Sequence, residues 1–207
     1  MTTLKVDVHH VTRVEGHGNI VVDVKDGVLK QCDLQIVETP RFFEAMLRGR
    51  PYLDASHLTS RICGICAVGH ATASLRATEQ ALGVTPSPQT TLLRKLNFHG
   101  EILDSHVLHI YMLVAPDYLG VGSVIPLAQS APDVVLRALR MKQLAGDLCA
   151  AICGRHTHPI SMTVGGFTHF PSLETLRELR ARLVASRADC DATIELLAGR
   201  EFPRFER

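Results

Sequence analysis

The sequence predicts a mainly α-helical fold with a small antiparallel β-sheet at its N-terminus, an α+β class. Two observations support the sheet: valine-rich runs with strand character precede residue 38, and Asp26-Gly27 is a turn signal between two of them. A third supports the helices, because apolar residues take helical spacing from Pro40 onward. With 207 residues and 46% apolar content the chain can bury one core, so we predict one domain with sheet segment 1–38 and helical segment 39–207.

The predicted strands lie on either side of the Asp26-Gly27 turn. Val21-Val22-Asp23-Val24 leads into this turn, and a partner strand continues after it. The three strands are predicted over residues 4–11, 19–25 and 28–37. Antiparallel pairing follows from the short connection between the second and the third.

The rest of the chain is predicted to be helical. The residues before Cys63 look helical, and an alanine-rich helix follows from Cys66 until Gly83 stops it. Pro116 is predicted to end a long amphipathic helix, and Ser172 to cap the last one. In order, helices are predicted over 42–49, 66–82, 89–114, 132–153 and 172–198, with a loop over 117–131.

Composition narrows the class of protein and its location. The net charge of +1 implies no basic face, which argues against nucleic acid as a partner. No apolar run reaches the length of about 18 residues that a membrane span needs. The first 25 residues lack the apolar region of a signal peptide, and six cysteines then indicate a reducing compartment. We therefore expect a cytoplasmic protein, although export together with a signal-bearing partner stays open.

The most informative segment is R-I-C-G-I-C, with Cys63 and Cys66 three apart and His70 four residues further on. Such a pair can hold one soft metal ion or form a disulfide, and Arg61 beside it favours thiolate over thiol. Spacing alone leaves three alternatives open besides a redox-active metal. These are half of a structural zinc site, a thiol–disulfide redox pair, and two packed cysteines without a role.

The other cysteines provide no second pair of this spacing. Cys149 and Cys153 lie four apart in an apolar run, so they share a helix face and are predicted to pack rather than to bind. No βαβ pattern surrounds Cys63 and Cys66, which argues against a thioredoxin-like redox protein.

The longer pattern R-x-C-G-x-C-x-x-x-H over residues 61–70 resembles the N-terminal metal-binding motif of nickel–iron hydrogenase large subunits. Four other blocks resemble the same family and occur in the family's order between about residue 9 and residue 170. They are T-R-V-E-G-H at 12–17, F-E with L-R-G-R at 43–50, S-H-V-L-H-I-Y with A-P-D at 105–117, and G-R-H-T-H-P with G-G at 154–166.

The resemblance implies an oxidoreductase that catalyses H2 ⇌ 2H+ + 2e− at a nickel–iron centre held by cysteine thiolates. It implies that Cys63 is a terminal nickel ligand, that Cys66 bridges nickel and iron, and that the iron carries carbon monoxide and cyanide. His70 would be a hydrogen-bond donor to a bridging thiolate. Glu15 would accept the proton that H2 cleavage releases, and Glu44 would bind magnesium.

Residue type alone would give plainer interpretations of these side chains. Glu15 could pair with Arg13 or be a surface charge, Glu44 could be an exposed helix charge, and His70 a core histidine.

Four other histidines are not expected to bind the metal. His106 and His109 share a helix face and are predicted to be buried packing or hydrogen-bonding residues. His156 and His158 flank a loop, where loop ordering or partner contact is the expected role.

Part of the family pattern is missing from this chain. The family has a second cysteine pair, in D-P-C-x-x-C-x-x-H near its C-terminus, and nothing like it follows Cys66. The sequence closes on the polar run before Glu206-Arg207, which does not resemble a domain end. We therefore expect the N-terminal portion of a large subunit, as a fragment, a split subunit or a truncated product, and inactive by itself.

The expected partner is a small subunit carrying iron–sulfur clusters, since this chain has no cysteine set for a cluster of its own. The motif sequences resemble those of soluble, cofactor-linked hydrogenases. The resemblance therefore also implies further subunits that reduce NAD(P) or F420. Two other classes compete. A quinone-reductase subunit like those of respiratory complex I would lack the cysteines, so Cys63 and Cys66 argue against it. A non-catalytic module could use the same pair for zinc or thiol redox chemistry.

Overall fold

A computed structural model describes residues 3–201 of the chain. The final Glu206-Arg207 run lies outside the described residues. The chain forms two units, Met1–Arg48 and Gly49–Arg207, called here the N-terminal and the C-terminal unit.

The N-terminal unit contains the predicted sheet. Its strands are β1 (Thr3–Val8), β2 (Gly18–Lys25) and β3 (Val28–Ile36), antiparallel and in the order β1-β2-β3. Asp26 and Gly27 both have positive φ, 52° and 74°, as the two-residue hairpin turn between β2 and β3 requires. Helix α1 (Pro40–Leu47) follows. The sheet and its turn are therefore confirmed, with the first strand ending at Val8 and not at residue 11.

The C-terminal unit is helical except for one short hairpin. Before the cysteines it has α2 (Tyr52–Thr59) and a 3₁₀ turn (Ser60–Ile62). After them come α3 (Ala67–Leu82), α4 (Pro88–Leu108), a π-helical segment (His109–Val114), α5 (Ala115–Tyr118), α6 (Val124–Ser130), α7 (Pro132–Cys153), β4 (Met162–Thr163), β5 (Gly166–Phe167), α8 (Leu173–Ala185) and α9 (Arg187–Ala198). The mainly helical class predicted from the sequence is confirmed.

Helix ends follow the predicted chemistry at Gly83 and Ser172, and a third cap was not predicted. Gly83 takes φ 68° and ends α3, a conformation that a side chain would disfavour. The Ser172 hydroxyl accepts a hydrogen bond from the Thr175 N–H at 3.0 Å, which confirms it as the cap of α8. Ser87 caps α4 in the same way, accepting from Thr90 N–H at 3.1 Å.

In the helical part of the chain, three predictions were wrong. Pro116 does not end the long helix, because the π-helical segment shifts the hydrogen-bond pattern and places the proline in the first turn of α5, where no N–H is needed. The predicted loop over 117–131 contains α6, a short helix capped by Ser123. The predicted last helix is interrupted at Ser186, which separates α8 from α9.

The core of the C-terminal unit forms mainly where α4 packs on α7. Gly100 permits this approach, since a Cβ there would lie 2.9 Å from Cys149 Sγ. Cys149 and Cys153 are buried in the core, as predicted. The main cluster also takes in side chains from α3, α8 and the hairpin, among them Val68, Leu75, Leu93, Leu144, Leu148, Ile152, Phe167 and Leu179. No helix within residues 3–201 is both long and apolar enough to cross a membrane.

Candidate metal centre

The two cysteines of the R-I-C-G-I-C segment lie in the turn between the 3₁₀ helix and α3. Cys63 is extended (φ −147°, ψ 131°), and Cys66 is the residue that precedes the first turn of α3. Their Cα atoms are 5.5 Å apart, and in this structure the two sulfurs are joined as a disulfide. The Cys66 N–H also donates to Cys63 Sγ at 3.2 Å. The backbone thus brings both sulfur atoms to one point.

The start of α3 gives this point an electrostatic bias toward thiolate. The N-terminus of a helix carries partial positive charge and N–H groups without intrahelical partners. Cys66 is the N-cap, and its side chain makes no capping hydrogen bond. Its sulfur instead joins that of Cys63, so the side chain of the N-cap residue faces the cysteine turn and accepts nothing from its own helix.

Glu101 supplies the capping that Cys66 does not, and sequence reasoning missed it. Its carboxylate on α4 accepts from the N–H groups of Val68 at 2.5 Å and Gly69 at 2.9 Å. The side chain is buried, and burial raises the pKa of the Glu101 carboxyl above its usual value although these two donors lower it. The only sequence signal is a glutamate on the buried face of α4, at helical spacing from the buried Asn97.

A second contact steadies the chain on the other side of the cysteines. His158 Nδ1 lies 2.9 Å from the carbonyl oxygen of Ser60, in the 3₁₀ turn just before Cys63. Ser60 is itself buried, and its hydroxyl donates to the His57 carbonyl at 2.8 Å. His158 takes φ 58°, an uncommon backbone conformation that this contact accompanies. Loop ordering was the role expected for this histidine, and the contact agrees with it.

The other histidines are only partly as predicted. His70 is half-buried one turn after Cys66, and its backbone N–H donates to the Cys66 carbonyl at 3.2 Å. His156 Nε2 lies 3.6 Å from Asp147 Oδ1. His106 and His109 are exposed, so their predicted burial is wrong, because the apolar face of the helix lies toward Val107 instead. His106 nevertheless makes the predicted kind of hydrogen bond, 2.8 Å from the Ile102 carbonyl oxygen.

Glu15 and Glu44 belong to the N-terminal unit. Glu15 is exposed in the segment between β1 and β2, where Arg13 (φ 65°) and Gly16 (φ 85°) both adopt left-handed backbone conformations. Glu44 is exposed on α1. Their roles in proton acceptance and magnesium binding stay predictions.

The cysteine turn provides two of the ligands that a soft metal ion needs. Among residues 3–201 there is no group of three or more His, Cys, Asp or Glu side chains placed to hold a metal ion. Cys63 and Cys66 provide two converging sulfurs, which are the donors that thiolate-bound nickel and iron prefer. These two residues therefore fit a soft metal ion as two of its ligands.

Comparison with known proteins agrees with this geometry. The family described as nickel-dependent hydrogenase matches residues 41–134, and the family described as HoxL-like matches residues 5–39. Together the two matches include Cys63, Cys66, His70 and Glu101, and Glu15 and Glu44 as well.

Individual relatives give the same picture. Sulfhydrogenase 2 subunit alpha of Pyrococcus furiosus is 38% identical over 174 residues, which are 84% of this chain and 42% of that protein. The periplasmic NiFeSe hydrogenase large subunit of Desulfomicrobium baculatum is 34% identical over 86% of this chain and 39% of its own. An NAD+-reducing NiFe-hydrogenase in the H2-reduced state has the same fold, with a TM-score of 0.87 and 31% identity over 96% of this chain and 46% of that one. The chain thus spans less than half the length of these relatives.

Proposed function

This chain belongs to the nickel-dependent hydrogenase family, as an N-terminal portion of its large subunit, and we propose that it supplies one half of a nickel–iron centre that interconverts H2 with protons and electrons. The observation that carries the proposal is the convergence of the Cys63 and Cys66 sulfurs at the start of α3. The remaining thiolates come from a part of the large subunit that corresponds to the relatives' additional length.

Each ligand has a distinct role in this proposal. Cys63 would hold the nickel, Cys66 would be a ligand of both the nickel and the iron, and the iron would also carry carbon monoxide and cyanide. When bound, the centre supplies the redox chemistry that cleaves H2 heterolytically. His70 lies one helical turn beyond Cys66 and donates a hydrogen bond to a thiolate, which tunes its electron donation.

Proton removal and the second metal use the N-terminal unit. Glu15 accepts the proton released from H2 and passes it outward, a role that suits a carboxylate in an exposed segment. Glu44 is a magnesium ligand, since its hard carboxylate oxygen suits an ion that keeps several of its waters.

Electrons leave through a partner. An iron–sulfur small subunit takes them up, because this chain lacks cysteines for a cluster. One structural neighbour is an NAD+-reducing hydrogenase. We therefore propose a further subunit that passes the electrons to NAD+, NADP or F420. We place the assembly in the cytoplasm. The alternative is export of the chain together with a signal-bearing partner, since one relative is periplasmic.

The proposal is tested by replacing each cysteine with serine in the assembly purified from its own source. Nickel and iron bound per chain should fall by at least tenfold in Cys63→Ser and Cys66→Ser, and H2 oxidation should be lost, because a hydroxyl is a poor ligand for a soft metal. Cys32→Ser is the matched control. That thiol is exposed on β3, so the variant should change neither the metal content nor H2 oxidation. Unchanged metal content in both variants, or zinc in place of nickel, would refute the proposal. The 207-residue chain alone should show no H2 uptake.

A further inference from the structure

We propose that Glu101 is a positioning residue for the metal-binding cysteines, acting as a cap in trans for the helix that Cys66 opens. The proposal rests on the proposed function for the ligand role of Cys66. It assigns Glu101 no contact with the metal. Its carboxylate instead fixes the first turn of α3, and thereby fixes where the Cys66 sulfur points.

The first turn of α3 shows why an external cap is needed. A helix begins with N–H groups that lack intrahelical acceptors, and a Ser, Thr, Asp or Asn side chain at the N-cap usually accepts from one of them. Here the N-cap is Cys66, and it makes no such bond. A residue at this position cannot both cap its own helix and turn its side chain toward Cys63. The protein resolves the conflict by taking the acceptor from α4.

Glu101 fits this task in distance and in number of acceptors. Its Oε1 accepts from Val68 N–H at 2.5 Å and its Oε2 from Gly69 N–H at 2.9 Å, so both oxygens are used. Only 8% of Glu101 is exposed, which means that water does not offer these N–H groups an easy substitute.

The cap also completes a two-point attachment of α3 to α4. Near the other end of α3, Glu79 receives two hydrogen bonds from Arg94 of α4, at 2.7 and 2.9 Å. With Glu101 holding the first turn, α3 is fixed to α4 at both ends. Cys66 therefore has one orientation relative to the core before any metal arrives.

The test measures how well the two thiols are placed against each other, without any metal. The reduced chain is equilibrated with oxidised and reduced glutathione, where dithiol and GSSG exchange to give the Cys63–Cys66 disulfide and two GSH. Mass spectrometry gives the equilibrium constant. Glu101→Gln retains the size of the side chain but offers one acceptor, and its amide donor then faces a second N–H donor. The constant should fall by at least fivefold, with faster hydrogen exchange at the Val68 and Gly69 amides.

Asp104→Asn is the matched control, because it removes the same charge from the same helix. Asp104 pairs with Lys142 of α7 at 2.8 Å and not with an N–H group of α3, and its variant should change the constant by less than twofold. If Glu101→Gln loses its helical circular dichroism, Glu101→Asp replaces it. That variant keeps the charge, shortens the reach by one carbon, and should lower the constant severalfold. An equilibrium within twofold of the wild type in the folded variant, or an equal shift in Asp104→Asn, would overturn the proposal.

These outcomes are separate from those of the proposed function. The glutathione equilibrium needs no nickel, iron or partner, so it reports only on the cysteine turn. If the native assembly contained zinc, the proposed function would fail while the Glu101 effect persisted. If the assembly contained nickel and iron but Glu101→Gln left the equilibrium unchanged, only the positioning role would fail.

Discussion

Replacing Arg94 with methionine should destabilise the C-terminal unit strongly, and more so at neutral than at acidic pH. Arg94 is 6% exposed and Glu79 3% exposed, and the guanidinium donates to both carboxylate oxygens. It also donates to the Thr163 carbonyl at 2.8 Å, while Gly165 N–H donates to Glu79 Oε1 at 2.7 Å. The pair thus joins α3, α4 and the β4–β5 hairpin.

The expected loss of unfolding free energy in Arg94→Met follows from the burial of both Arg94 and Glu79. Removing one partner of a buried ion pair leaves an uncompensated charge and costs about 3–5 kcal/mol of unfolding free energy. Methionine preserves the apolar stem of Arg94, so packing loss adds little. Since a domain of this size is stable by only about 5–15 kcal/mol, the variant should be marginal at neutral pH.

The pH dependence has a definite sign. Burial alone would raise the pKa of Glu79, but the hydrogen bonds from Arg94 and Gly165 outweigh it and hold the pKa below its usual value. In the wild type this stabilisation is complete above the carboxyl's unfolded pKa and is lost as pH falls through the lower folded pKa. Without Arg94, burial raises the pKa of Glu79, so the variant loses stability as pH rises past the unfolded value. The difference between the two proteins should therefore shrink toward pH 4.

Urea unfolding followed by circular dichroism measures this difference at pH 7 and at pH 4.5. Arg140→Met is the control, because the Arg140 side chain is 60% exposed and its pair with Asp189 should contribute about 0–1 kcal/mol. A loss below about 1 kcal/mol in Arg94→Met at pH 7, or one that does not diminish at pH 4.5, would refute the argument from burial.

Two further predictions concern the packing of α4 on α7. Gly100→Ala should lower the unfolding free energy by about 1–3 kcal/mol, since the new methyl would lie 2.9 Å from Cys149 Sγ and 3.3 Å from Leu148. Gly122→Ala, with nothing within 4 Å of its Cβ, should change it by less than about 0.5 kcal/mol, and equal effects in urea titrations would contradict this. Burial, together with nearby negative charge, raises the pKa of Cys149 to about 12, so at pH 8 iodoacetamide should modify the exposed Cys32 and leave Cys149 intact until urea unfolds the chain. Modification of Cys149 in the folded protein, detected by peptide mass spectrometry, would show that the thiol is more accessible than the structure indicates.

Local chemistry made parts of the fold predictable. The Asp26-Gly27 pair specified its hairpin because both residues tolerate positive φ, and Ser172 specified a helix start through its own hydroxyl. Cys66 was correctly placed at the opening of a helix for the same reason: the glycine-containing turn and the alanine-rich run are both local signals.

Features that depend on distant residues could not be predicted in this way. Glu101 caps a helix that begins over 30 positions earlier in the chain, and no spacing rule connects a helix start to a neighbouring helix. Pro116 was read as a stop signal because the π-helical segment before it leaves no local signature. His106 was expected to be buried from the motif that contains it, yet the face on which it lies is determined by how α4 packs.

The most direct test of the central claim is native mass spectrometry, with metal analysis, of the assembly that contains these residues in its own source. We expect a large subunit that holds one nickel and one iron and is bound to a cluster-containing small subunit. A protein that held zinc or no metal, without such a partner, would contradict the proposed function, although the hydrogenase large-subunit fold would stand.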